Sequence, residues 1–145
     1  VQPPRLAIRP VAAGASGLSV RALKGAPGVR SARFAGPNQN DRANLDKLVR
    51  VMERVPPSRR QGRFVCCMAL AIGGRLIRTF RGSCAGTLSL APAGRTGFGY
   101  DPLFIPQGFR KTFAQLGARI KDRCSHRTQA ALKLKAWLKK DLPGA

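Results

Sequence analysis

The sequence predicts a mixed α/β (α+β) fold: a central, largely antiparallel sheet flanked by helices. Three observations carry that prediction. The run RFVCCMALAI (63–72) is almost continuously apolar and β-branched or aromatic in part, the pattern of a buried strand. Gly73-Gly74 follows it, and then RLIRTFRG (75–82), so the two runs read as strands joined by a tight turn. Leu45, Leu48, Val49, Met52 and Val55 recur at helical spacing, giving an amphipathic helix to cover the sheet.

The elements follow in order. Residues 1–10 contain three prolines and read as an extended lead-in to a single domain over 11–145. VAAGASGLSV (11–20) is small and apolar, with a turn expected at Ser16-Gly17. Residues 24–40 are rich in Gly, Pro and Asn and read as a structured loop. Asn40 is placed to cap the helix that begins near Asp41, and Pro56-Pro57 ends it. SCAGTLSLAP (83–92) reads as a third strand after the hairpin, and Lys111 to Leu116 as a short helix. Ser125 can cap a last helix in which Ala131, Leu134, Trp137 and Leu138 share a face.

Charge is the unusual feature of the composition. The 145 residues hold 27 Lys+Arg against 6 Asp+Glu, a formal net charge of +21. Cations recur from Arg5 to Lys140, so this is not a basic tail on a neutral body. Such a surface collects polyanions, and nucleic acid is the partner that neutralises many cations at once. Arg59, Arg60, Arg63, Lys133, Lys135, Lys139 and Lys140 are the candidate RNA contacts. No basic amphipathic helix with a broad aromatic face speaks for a membrane partner. Cys66, Cys67, Cys84 and Cys124 form no CxxC pair, which argues against zinc and for free thiols. The chain starts at Val1, which reads as a processed or internal start.

Four ordered stretches then carry a resemblance. SGLSVRALKGAPGVRSARFAG (16–36), RFVCCMALA (63–71), GFGYDPLFIPQGFRKTFAQL (97–116) and KDRCSHR (121–127) are together similar to the inosine triphosphate pyrophosphatase family. That family cleaves deaminated purine nucleoside triphosphates to monophosphate and pyrophosphate. The resemblance implies a purine and phosphate pocket built from Ser16, Phe98, Asp101, Lys121, His126 and Arg127. Phe98 would stack on the base; Asp101, His126 and Arg127 would read its edge; Lys121 would meet phosphate. Without the resemblance the same residues have plainer readings. Phe98 and Tyr100 fit core aromatics, Asp101 before Pro102 fits a turn, and Lys121 and Arg127 fit two more cations of a basic chain.

The chain departs from the family pattern at its acids. The family carries two acids before SGL, the second of which helps to activate water with magnesium. Here Gly14 and Ala15 stand there, and neither can accept a proton or bind a hard cation. Nothing before Pro10 matches the family's phosphate-binding opening, so the expectation is either a domain without that front segment or a separate chain that supplies it. No catalytic or metal residue remains on this reading, and no cofactor is needed. The expectation that follows is a catalytically inactive, pyrophosphatase-like scaffold. It would bind ribosomal RNA and neighbouring proteins in a large ribonucleoprotein, such as a mitochondrial ribosome. The alternative is a working pyrophosphatase on inosine or xanthosine triphosphate, with Mg2+ as cofactor, in an organelle or the cytoplasm.

Overall fold

A computed structural model describes residues 10–141. Four strands lie in the order β1-β2-β3-β4, with every neighbouring pair antiparallel. They are β1 (Pro10–Val20), β2 (Gln61–Ile72), β3 (Arg75–Leu88) and β4 (Phe104–Pro106). The helices are α1 (Asp41–Met52), α2 (Phe113–Leu116), α3 (Ala118–Cys124) and α4 (His126–Asp141). The expected antiparallel sheet with flanking helices is therefore what forms. The proline-rich lead-in lies outside the described residues except for Pro10, which opens β1.

Local details differ from the sequence reading in ways that matter for the site. No turn interrupts β1 at Ser16-Gly17; both pair with β2, opposite Cys66 and Val65. Gly17 is there for close approach rather than bending, because a Cβ on it would collide with the Gly28 carbonyl. RLIRTFRG and SCAGTLSLAP are not two strands but one, β3, since β2 pairs with it from Arg75 to Thr87. The last strand of the sheet is instead β4, inside the aromatic segment. Helix α3 was not expected. On α4, Ala130 rather than Ala131 is buried, along with His126, while Leu134, Trp137 and Leu138 are half-buried.

The core sits on one face of the sheet. Leu18 and Val20 of β1, Phe64 of β2, Cys84 and Leu88 of β3 and Phe104 of β4 meet Leu45, Leu48 and Met52 of α1. Each large apolar side chain so buried contributes roughly 1.5–3 kcal/mol. Asn40 caps α1 as expected, its side-chain oxygen accepting from Ala43 N at 3.0 Å. The far end of α1 is closed by Arg60, which is 3% exposed. Its guanidinium donates to the carbonyls of Met52 (2.7 Å), Val55 (2.9 Å) and Ser89 (2.9 Å). Arg60 is thus a structural clamp, and it has no free donor face to offer RNA. Helix α4 crosses β3 and β2 at Gly82, where a Cβ would strike the His126 carbonyl and the Ala130 N–H. Trp137 meets Phe80 edge-on, with centroids 6.3 Å apart. All four cysteines are free thiols: Cys66 and Cys84 are buried and Cys67 is exposed. Burial and the nearby Cys124 push the Cys84 thiol up to about 11. Among the described residues no helix is long and apolar enough to cross a membrane.

Candidate functional site

Where β1 leaves the core, seven separated stretches of the chain converge on one cavity of about 140 Å³. Ser16, Gly17 and Leu18 come from β1, and Asp41 and Asn44 from the first turn of α1. Phe98 to Asp101 come from the glycine-rich loop before β4. Lys121 comes from α3, and His126 and Arg127 from the start of α4. All six pocket residues expected from the sequence therefore share one wall. Whole-ligand pockets run to about 300–1,000 Å³. This cavity suits a single planar ring system, with the rest of a ligand lying outside.

The loop is held from within. Gly97 has φ +77°, and a Cβ there would strike the Asp101 carboxylate. Asp101 is 3% exposed; its Oδ2 accepts from Phe98 N at 3.0 Å and from the Lys121 ammonium. The acid thus fixes the loop and is neutralised by its ion pair. Tyr100 is the true core aromatic of the segment: it is buried and its hydroxyl donates to the Ser31 carbonyl at 2.6 Å. Burial and Asp41 push that hydroxyl up to about 12. Phe98 by contrast is 55% exposed, so the loop presents an aromatic face to the cavity mouth. The Lys121 ammonium lies 4.1 Å from its ring centroid and the Arg127 guanidinium 5.1 Å.

His126 forms the inner wall. Its ring stacks on Phe64 at 4.9 Å and 12° and is 5% exposed. Burial pushes it down to about 4, and the cations of Arg127 and Lys121 add to the effect. Near neutral pH it is therefore an uncharged imidazole, with one nitrogen donating and the other accepting. Nδ1 is buried with no partner among the described residues. Arg127 ties α4 to β1, its Nε donating to Ser16 Oγ at 3.2 Å. Phe64, Asn44 and Asp41 were missed by the sequence reading. Scarcity was the available signal for Asp41: with six acids in the chain, each one has a location to explain.

The cavity can hold a ring against an aromatic, with donors and acceptors at its edge and cations at its mouth. It does not offer a metal cage. Among the described residues no group of three or more His, Cys, Asp or Glu is placed to bind an ion. Asp101 is already paired with Lys121, and Gly14 and Ala15 have no ligand atoms. A wider depression lies largely on the other face of the sheet, with Arg21, Arg63 and Arg81 among its fifteen lining residues. That is the cation density of the chain as a whole, 27 in 145, and it marks no separate site.

The profile of the Ham1 family matches residues 5–137. The chain is 46% identical over 127 residues to a dITP/XTP pyrophosphatase of Opitutus terrae, covering 88% of this chain and 63% of the relative. It is 47% identical over 126 residues to one from Geobacillus kaustophilus, covering 87% and 62%. Among solved structures, the Ham1 protein of Staphylococcus aureus superposes with a TM-score of 0.85 at 38% identity, covering 92% of this chain and 68% of that one. A nucleoside-triphosphatase / dITP/XTP pyrophosphatase of Mycobacterium abscessus gives 0.74 at 40% identity, covering 86% and 64%. The chain thus spans a little under two thirds of the length of the curated relatives named here.

These likenesses overturn the expectation of an inactive scaffold in a mitochondrial ribosome, and with it the RNA and ribosomal-protein partners. The relatives are named as pyrophosphatases, not as ribosome components. The physical reason for the error is plain. Net charge announces an affinity for anions but not which anion, and a nucleoside triphosphate is one too.

Proposed function

The chain belongs to the Ham1 family, and from that premise we propose that its cleft binds the base of a 6-keto purine nucleoside triphosphate for cleavage to monophosphate and pyrophosphate. One observation carries the proposal. Phe98, Asp101, Lys121, His126, Arg127 and Ser16, from four separated segments, line a single cavity sized for one ring system. Phe98 offers a face for stacking. The neutral His126 and the guanidinium of Arg127 offer hydrogen-bond donors for a keto oxygen. Asp101 holds the loop and positions Lys121, whose cation stands at the mouth where phosphates would lie. Closure of the ring between Phe98 and the β1 wall removes it from water, which strengthens each polar contact.

The test is pyrophosphate release from inosine, xanthosine and adenosine triphosphates in the presence of magnesium. The expected result is release from the first two at a rate well above that from the third. Equal release from all three, or none, would overturn the reading. Ala15 is exposed, so Ala15→Asp places a carboxylate on β1 without disturbing the core. Because a general base is worth about 10²–10⁴-fold, that variant is expected to turn over at least about tenfold faster than the native chain.

A further inference from the structure

We infer that Asp41 is the specificity-determining acceptor of this cleft, reading the N1–H that 6-keto purines carry and adenine lacks. The inference rests on the proposed base-binding role of the cavity and assigns the residue that makes the choice.

The first observation is enrichment. The chain has six acids, and two of them, Asp41 and Asp101, are among the fifteen residues that line the cavity. In a chain so depleted of carboxylates, an even spread would place fewer than one there.

The second is elimination. A ring held in the cavity needs an acceptor for its N–H, and apart from the unpartnered Nδ1 of His126 most side-chain acceptors in the wall carry bonds already. Asp101 is buried, and its Oδ2 is committed to Lys121 and to Phe98 N. The Asn44 oxygen accepts from Ala35 N at 2.8 Å, and its amide donates to the Ala32 carbonyl at 2.9 Å. Ser31 Oγ accepts from Leu18 N at 2.8 Å and donates to the Gly28 carbonyl at 2.6 Å. Asp41 is exposed where Asp101, Asn44 and Ser31 are buried. Its Oδ2 accepts one bond, from Gly99 N at 3.2 Å, and Oδ1 has no partner among the described residues. Asp41 forms no ion pair among them either.

The third is placement. The bond to Gly99 N ties the carboxylate to the residue that follows Phe98, whose exposed ring is the one on which a base would stack. Arg127, above the same ring, supplies donors. An acceptor and a donor lining the same cavity match the adjacent N1–H and O6 of hypoxanthine, xanthine or guanine. Adenine presents the reverse order, a lone pair at N1 and a donor at C6, so its N1 would face a carboxylate. Sites built to pair a ligand donor reject the analogue that lacks it far more strongly than they reject a change of shape.

The experiment is titration calorimetry of the wild-type chain and of Asp41→Asn at about 0.15 M salt. The ligands are inosine monophosphate, 1-methylinosine monophosphate, adenosine monophosphate and ribose 5-phosphate. Asparagine keeps an oxygen for Gly99 N but turns a donor toward the base. Wild type is expected to prefer inosine over 1-methylinosine monophosphate by about tenfold or more, as for a bond to a charged group. Asp41→Asn is expected to abolish that preference while its affinity for adenosine monophosphate holds or rises. Asp41→Asn keeping the preference, or losing affinity for all purines alike, would overturn the inference and leave the base-binding reading standing. Wild type binding inosine monophosphate no better than ribose 5-phosphate would overturn both. A thermal melt of each variant separates loss of fold from loss of recognition.

Discussion

The two ends of the sheet are built from the same three long strands and behave differently. At the end that holds Leu18, Val20, Phe64, Cys84 and Leu88, one face is sealed under α1 and the aromatic loop. At the other end every residue of β1 from Pro10 to Ser16 is exposed, as are Leu76 (66%), Val11 (62%) and Ile77 (44%). The cleft lies at the boundary, where Ser16 is exposed and Leu18 is fully buried. Rigidity on one side and access on the other come from continuing a strand past its cover, without any change of secondary structure.

That contrast can be broken beside the cleft, where α4 packs on the sheet. Gly82→Val drives a branched side chain into the backbone of α4 at His126 and Ala130, where nothing can give. It is expected to cost more than about 3 kcal/mol and to leave little folded protein in a urea melt. Arg60→Ala removes the clamp on three carbonyls and is expected to cost about 2–4 kcal/mol. Arg59→Ala beside it, exposed and without a described partner, stays within about 0.5 kcal/mol in the same melts.

Acid sharpens the contrast at the cleft itself. His126 titrates near 4 when folded and near 6.5 in its ordinary state, so between those values the unfolded chain binds more protons. The stability that His126 contributes is complete above about pH 6.5 and is lost as pH falls toward 4. It amounts to a few kcal/mol at about 1.4 kcal/mol per pH unit. Thermal melts from pH 7 to pH 4 are expected to show that decline, and His126→Gln to flatten it. The smallest effect belongs to the open end, where Leu76→Ser or Val11→Thr shifts stability by less than about 0.5 kcal/mol.

Legibility in the sequence followed the same divide. The hairpin, the α1 helix and its Asn40 cap could be read because each rests on local pattern: an apolar run, a glycine pair, a helical period. The course of β1 through Ser16-Gly17 could not, because Gly17 answers to the Gly28 carbonyl eleven residues away. Nor could the burial of Arg60, which looks like its neighbour Arg59 until three carbonyls surround it. Six of the cleft residues were legible as family motifs, but Asp41 belongs to a segment whose local pattern says only helix, and Phe64 to a family stretch that reads only as a buried strand. Charge misled at the level of function because a count has no address.

Strand β1 has a further consequence. Among the described residues nothing pairs with its outer edge beyond a bridge from Ser19 to Pro27, and from Val11 to Val20 it carries no charge. Such an edge is a template for a second copy of itself. Mutual repulsion between molecules of net charge +21 opposes that pairing. Colloidal behaviour then runs opposite to that of a protein salted in by its buffer. Each increment of salt shortens the reach of the repulsion, from about 30 Å at 0.01 M to about 10 Å at 0.1 M, and brings bare edges within range of one another. The basic surface thus opposes pairing at this edge, and its opposition is only as good as the dilution of the surrounding ions.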